Sequence, residues 1–307
     1  MGTPEFARII LEYVLGWPGG EVAAVYTQPD RPCGRGRKFK APPVKELALE
    51  KEIQVLQPEN FKNDQEVDRL SSFRPDYLLV AAYGLLLPEK VLSTASRMPL
   101  NVHASLLPMY RGAAPIQRAI INGEVKTGIS IMVMTRGLDA GPVVLQRSLD
   151  ILDSDTAGSL HDELAHLGGK MLVEALEGLE KRELEPAPQD ESLATYAPKL
   201  SKQEGLIHWN QPAHVIHNRV RGLFPWPGSF FDWTGPGGRK IRLVIFPGKI
   251  GPEKSSEIKP GSITGTREGF LKIACADRYY LVPRIKPEGG RAMDATGFEC
   301  GFLNRCG

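Results

Sequence analysis

Two side chains able to work on a carbonyl, the amide of Asn101 and the imidazole of His103, lie two residues apart in the run LNVHAS at 100–105. In an extended strand that spacing turns both to one face. An amide N–H can donate to a developing oxyanion, and an imidazole can carry a proton. A carboxylate, Asp139, follows inside the turn GLDAG, where Gly137 and Gly141 are expected to let the backbone bend and expose it. That carboxylate can orient or charge the histidine. No Ser or Cys sits in a nucleophile-elbow motif, so the three groups suit acyl transfer without a covalent enzyme intermediate. Spacing alone does not decide the matter, because a strand histidine is more often a satisfied structural residue and a glycine-flanked Asp more often a plain turn.

The elements that must position these groups can be read from periodicity. EVAAVYT (21–27), DYLLVAAYG (76–84) and LNVHAS (100–105) are short apolar runs bounded by Gly and Pro, and they alternate with helical patterns at 42–52 and 64–73. That alternation predicts an α/β domain over 1–185 with a Rossmann-like, mostly parallel sheet. GISIMVMT (128–135) and PVVLQRSLDI (142–151) read as a strand pair joined by the Asp139 turn, and a long helix is expected over 156–181, capped by Asp155 or Thr156. The Pro-rich polar stretch 186–205 is expected to be a linker. Beyond it, over 206–307, a helix near 212–222 and several short strands with Gly and Pro turns predict a small antiparallel barrel of the oligonucleotide-binding (OB) type.

Several function classes fall away. The nearest thing to a dinucleotide fingerprint, Gly34-Arg35-Gly36, has Phe39 where the third glycine belongs, and no P-loop is present. Cys33, Cys275, Cys300 and Cys306 are scattered without metal-ribbon spacing, which fits a reducing, cytoplasmic setting better than a disulfide scaffold. No apolar run approaches the ~20 residues that span a bilayer, so no membrane partner is expected. His214 and His217 stand three apart on the expected helix, but no third ligand is near in sequence. They read as surface residues, and no metal is expected.

Charge is uneven although the net is only +2: from residue 201 onward there are 16 Lys and Arg against 9 Asp and Glu. A basic C-terminal third on a mildly acidic body suits a polyanionic partner, or else a solvated surface. A second basic run, DRPCGRGRKFK at 30–40, carries Arg31, Arg35, Arg37, Lys38 and Lys40 after the carboxyl end of a strand, where phosphates could order it.

NVHASLLPMYRGAAPIQ followed by TGISIMVMTRGLDAGPVV resembles the core of the formyltransferase family that uses 10-formyltetrahydrofolate, with its Asn-x-His strand end, Ser-Leu-Leu-Pro loop and Leu-Asp-x-Gly turn. MGTPEFA, QPDRPCGRGRK, VKELA, AAYGLLLP and TYAPKLSKQEG are similar to segments of members that formylate methionyl initiator tRNA, and the likeness runs over nearly the whole chain. The resemblance implies that Asn101, His103 and Asp139 are catalytic, and that Ser105, Leu106, Leu107 and Pro108 form the folate loop. It also places the backbone at Tyr83 and Gly84 against the pterin and the 30–40 loop against tRNA. The expected donor is 10-formyltetrahydrofolate and the expected acceptor a methionyl initiator tRNA, bound by a monomer. The implied reaction is direct attack of the α-amine on the formyl carbonyl, with Asn101 and protonated His103 stabilising the oxyanion and Asp139 holding the histidine. A small amine such as a sugar nucleotide is the competing acceptor, and a non-catalytic RNA-binding protein the third reading. In the family a strand precedes the Gly-Thr-Pro-Glu-Phe turn; with Met1 immediately before it here, the sheet is expected to lack that element.

Overall fold

The computed structural model describes residues 1–33, 38–238 and 240–303. The chain divides into two compact units, the first made of Met1–Pro115, Lys126–Asp150 and His161–Ala197, the second of Ile116–Val125, Ile151–Leu160 and everything from Pro198.

In the first unit the strands are β1 (Val25–Tyr26), β2 (Arg31–Cys33), β3 (Lys38–Lys40), β4 (Val55–Leu56), β5 (Tyr77–Val80), β6 (Met98–His103), β7 (Lys126–Val133) and β8 (Val143–Asp150). Its helices are α1 (Glu5–Leu15), α2 (Pro43–Glu50), α3 (Asp64–Ser72) and α4 (Glu89–Leu92). Helix α5 (Pro115–Ile121) follows, and α6 (Ala157–Glu180) is the long helix expected from periodicity. β1 and β4 pair in parallel, as do β5 and β6, but β6–β7 and β7–β8 are antiparallel. The sheet is therefore mixed and not mostly parallel: the Asp139 turn is too short for a crossover and returns β7 to β8 as a hairpin, and β7 itself runs against β6.

β1 and β5 are bridged at Met1 and Gly2, where the Gly2 amide donates to the Tyr26 carbonyl at 2.9 Å and the Ala81 amide to Met1 at 3.0 Å. A cleft of about 470 Å³ beside that bridge is lined in part by Ala23, Ala24, Val25, Leu78, Val80 and Leu172.

Helix α1 buries Phe6, Ile9, Ile10 and Val14, one stripe at helical spacing. Helix α6 approaches the sheet closely because it has a glycine pair at the contact. A Cβ on Gly168 would lie 2.8 Å from Val102 Cγ1, and one on Gly169 2.3 Å from the Tyr13 ring. Val102 sits between Asn101 and His103, so its contact with α6 leaves those two side chains on the other face.

The stretch expected as a linker is not a free one. Ala187 exchanges both backbone hydrogen bonds with Val143 at 2.8 Å, and Arg111 donates to Thr195 at 2.9 Å and accepts from Ala197 at 2.7 Å. Residues up to Ala197 thus form an edge of the first unit, while Pro198 onward belongs to the second. Pairing of this kind depends on partners far away in sequence, which local composition does not reveal.

The second unit holds α7 (Ala213–Gly222), β9 (Ser229–Thr234), β10 (Lys240–Ile245), β11 (Lys249–Lys254), β12 (Ile263–Arg267), β13 (Phe270–Ala274), β14 (Arg278–Val282), β15 (Arg284–Pro287), β16 (Met293–Asp294) and the short α8 (Ala295–Phe298). The expected barrel is instead two antiparallel sheets, ordered β16-β15-β10-β9 and β11-β14-β13-β12, with no ladder closing them among the described residues. They share one core: Phe231, Leu243 and Ile285 from one sheet, Leu271, Ile273 and Val282 from the other, and Ile216 and Val220 from α7. Cys275 is fully buried, and burial pushes its thiol up to about 12.

His217 is not on the surface but in this unit's interior, its Nε2–H donating to the Asp153 carbonyl at 3.0 Å, whereas His214 is exposed. Among the described residues, no three His, Cys, Asp or Glu gather as a metal site, and no helix is long and apolar enough to cross a membrane.

Two outcomes follow. Replacing Gly168 by Val drives a branched side chain into Val102 and is expected to destabilise the protein by about 2 kcal/mol or more, read as a lower denaturant midpoint. Burial holds His217 below its ordinary 6.5, so the unfolded chain binds that proton more readily. The stability from neutral His217 is therefore complete above 6.5 and is lost as pH falls through the depressed value. The stability difference between wild type and His217→Gln should narrow when denaturation is repeated at about pH 5 instead of about pH 7.5.

Candidate active site

The carboxyl ends of β5 and β6, the usual place for a ligand in an open α/β sheet, carry the candidate groups. Asn101 and His103 are both buried, at 9% and 6% exposure. Among the described residues no protein group hydrogen-bonds to the Asn101 amide. With 9% of the residue still open to solvent, that amide is free to meet a ligand.

His103 Nε2 lies 2.9 Å from the Tyr110 carbonyl, an acceptor only, so Nε2 carries a proton. Nδ1 lies 3.7 Å from Asp139 Oδ2, beyond a hydrogen bond but within reach of an ion pair once the ring is doubly protonated. The same Oδ2 accepts the Gly112 amide at 2.8 Å. The hairpin turn thus brings Asp139 to His103 across a long stretch of sequence, as the spacing argument requires.

The turn achieves this differently from the sequence expectation. Asp139 itself, and neither glycine, takes the left-handed conformation, with φ 48°. Gly141 is needed for a different reason: a Cβ there would fall 1.8 Å from the Val133 carbonyl oxygen. Tyr110 (φ 60°) and Ala82 (φ 44°) are also left-handed, so backbone strain gathers around this site.

The loop Ser105–Pro108 is tied to the sheet by Ser130 of β7, opposite His103 in register. The Ser130 hydroxyl donates to the Ser105 carbonyl at 2.7 Å and accepts from the Leu107 amide at 3.1 Å and from Gln146 Nε2 at 2.8 Å. Gln146 also donates to the Leu107 carbonyl at 2.9 Å. Ser105 donates to the Met109 carbonyl at 2.6 Å, and Leu107 is buried. Leu106, packed on Gly128, and Pro108 remain half-exposed and available to a ligand. Ser130 and Gln146 were not singled out from sequence, although a lone serine between Gly128-Ile129 and Ile131-Met132 is the signal that could have found one of them.

Tyr83 points its ring into the core with Phe61 and Tyr26, while its carbonyl accepts from Thr3 Oγ1 and Gln28 Nε2, each at 2.9 Å. Gly84 takes a left-handed backbone (φ 78°) that favours glycine, and a Cβ there would also displace Gln28 Nε2, 2.4 Å away. Of the basic run, Arg31 and Lys40 face each other on the β2–β3 hairpin. Arg35 and Arg37 lie outside the described residues, and of Lys38 only the backbone is described. The hairpin's root is held by Asp30, whose carboxylate takes Lys45 Nζ at 2.8 Å and is kept below the usual carboxylate range by that lysine.

Residues 2–176 match the family described as Formyl transferase, and residues 199–303 match Formyl transferase, C-terminal domain. A methionyl-tRNA formyltransferase of Nitratidesulfovibrio vulgaris (strain DP4) is 50% identical over 306 residues, covering 100% of this chain and 93% of that protein. One of Moorella thermoacetica is 43% identical over 98% of this chain and 95% of its own length. Among solved structures, the N-formyltransferase of Helicobacter canadensis, in complex with folinic acid and dTDP-3-aminofucose, has the same fold at 18% identity. Its TM-score is 0.66, over 92% of this chain and 96% of that one. The matched core and the relatives aligned from end to end agree, and the chain belongs to the formyl transferase family.

Proposed function

We propose that this chain is a cytoplasmic enzyme that transfers a formyl group from 10-formyltetrahydrofolate to the α-amino group of methionyl initiator tRNA. The observation that carries the reading is the convergence of Asn101 and His103 on one strand face, with Asp139 Oδ2 3.7 Å from His103 Nδ1. Full-length likeness to methionyl-tRNA formyltransferases supports tRNA as the acceptor. The proposed functional division is a catalytic domain over 1–185, a segment over 186–205 whose part up to Ala197 is paired onto that domain, and a tRNA-binding domain over 206–307.

The folate, when bound, supplies the activated formyl carbonyl. Leu106 and Pro108 are the loop members with surface left to meet its ring, and Ser105 and Leu107 hold the loop in shape, with Tyr83 and Gly84 bounding the pocket through their backbone. The Asn101 amide N–H donates to the oxygen that gains charge when the amine attacks. With its Nε2–H on the Tyr110 carbonyl, His103 has its free lone pair at Nδ1, facing Asp139. A proton released from the amine is taken up there, and the imidazolium so formed lies between the Tyr110 carbonyl and the Asp139 carboxylate. Its charge favours the oxyanion while Asp139 stabilises it; when the intermediate collapses, the bond from the formyl carbon to N10 breaks and the imidazolium gives its proton to N10 of the departing folate. Arg31, Arg35, Arg37, Lys38 and Lys40 are the proposed phosphate contacts of the 30–40 loop.

One oxyanion donor contributes roughly 3 kcal/mol, so Asn101→Ala should lower kcat by about 10²-fold with little change in the tRNA KM. Near-normal formylation of charged initiator tRNA by this variant would remove Asn101 from the mechanism.

An RNA acceptor and a small one differ in salt dependence. For tRNA, log affinity should fall with log salt by roughly 0.7 to 0.9 per phosphate contacted, and neutralising Arg35, Arg37 and Lys38 together should flatten that slope. A slope near zero in the unmodified protein points to a small sugar-amine acceptor instead.

A further inference from the structure

The left-handed Asp139 turn is largely exposed on its Thr135–Leu138 side, yet the carboxylate must stay opposite His103. The answer lies in the segment that follows α6. Gln189 Nε2 donates to the Asp139 carbonyl at 2.8 Å and to the Gly141 carbonyl at 2.7 Å, so one amide bridges the turn around its key residue. Gln189 Oε1 accepts from Arg111 twice, from Nη2 at 2.7 Å and from Nε at 3.2 Å.

Arg111 is 2% exposed and is held in turn by Glu191, whose two carboxylate oxygens take Nη2 at 2.7 Å and Nη1 at 2.9 Å. A guanidinium can only donate, so Oε1 of Gln189 must face it and both amide hydrogens must face the turn. The orientation of Gln189 is therefore fixed by charge, and all of its hydrogen-bonding capacity is used. Arg111 also lies next to Gly112, whose amide holds the Asp139 carboxylate at 2.8 Å. The chain Glu191–Arg111–Gln189 therefore holds the turn's backbone while Gly112 holds its side chain.

We propose that Gln189, oriented by Arg111, is a positioning residue that keeps Asp139 in register with His103. This rests on the role given above to Asp139. Gln189 touches no reacting atom; it acts through the turn. A glutamate at 189 would keep the size and the attraction to Arg111 but would set an oxygen against two carbonyls, so Gln189→Glu should behave like Gln189→Ala and not like wild type.

The test combines kinetics and local exchange on the full chain. Each variant should lose about 10-fold in kcat, with the KM for folate and for tRNA within about threefold of wild type. In an Asp139→Asn background the same substitutions should cost less than about threefold further, because a residue acting through Asp139 has nothing left to position. By NMR hydrogen exchange, the Gly112 amide should exchange about 10-fold faster in Gln189→Ala, while the Leu107 amide, held by Ser130, keeps its wild-type rate. An undiminished loss in the Asp139→Asn background, a near-wild-type Gln189→Glu, or unchanged Gly112 exchange would each overturn the proposal. The exchange measurement needs no turnover, so it separates failure of this inference from failure of the proposed reaction. Absence of formyl transfer by the wild-type chain would sink the reaction and leave the positioning contact to be judged by exchange alone.

Discussion

The Ser130 hydroxyl is wholly buried, and each of its hydrogen-bonding positions is used: one donated bond and two accepted ones. A group so placed is worth far more by its removal than by its presence, because a cut would strand the buried Leu107 amide and Ser105 carbonyl at once. It sits in register between His103 on one neighbouring strand and Gln146 on the other. Through it the loop Ser105–Pro108 is fastened to the centre of the antiparallel half of the sheet, and the loop's return brings the Tyr110 carbonyl onto His103. The ligand-facing side of the site is built on that tie, and the opposite face is fixed by the close seating of α6 on Val102.

How much of this could be read from the sequence depends on the range of the interaction. The alternation of Asn101 and His103 is local, and so is the hairpin that carries Asp139; both were legible. The helix boundaries over 156–181 and 212–222 agree with Ala157–Glu180 and Ala213–Gly222, since apolar spacing and caps are local signals too. The antiparallel pairing of β6 with β7 was not legible, nor was the pairing of Ala187 with Val143, nor the bond from Gln189 to the Asp139 turn. Each depends on where distant backbone arrives. Composition made 186–205 look like a tether because Pro and polar residues suit both a tether and an edge whose partners lie elsewhere. His217 misled for a related reason: helical position gives a direction, but only the packed structure says whether that direction meets water or Asp153.

The excess of cations counted from residue 201 needs the same correction. Arg221 is 5% exposed and is spent on the Leu152 and Asp155 carbonyls, so it contributes little to an outward field. Arg242 is paired with Asp232, and Arg267 and Lys272 share Glu253. Lys240, Arg284 and Lys286, on β10 and β15, are exposed and make no ion pair among the described residues. Arg284 also lies over the Phe246 ring at 5.0 Å, a cation on an aromatic platform. Lys249, Lys254 and Arg278, on β11 and β14, are likewise exposed and without an ion pair among the described residues, so the outward charge of this unit is divided between its two sheets and is smaller than the sum over the sequence suggests.

Cys275 has a use that follows from its burial alone. The thiolate is the nucleophile, and burial pushes this thiol up to about 12, which disfavours its ionised form at neutral pH. No alkylating reagent or oxidant reaches it while the two sheets stay closed over their shared core. Its modification therefore requires opening of the second unit, and the rate at which it is labelled measures how often that unit opens. The core of this unit thus carries its own clock.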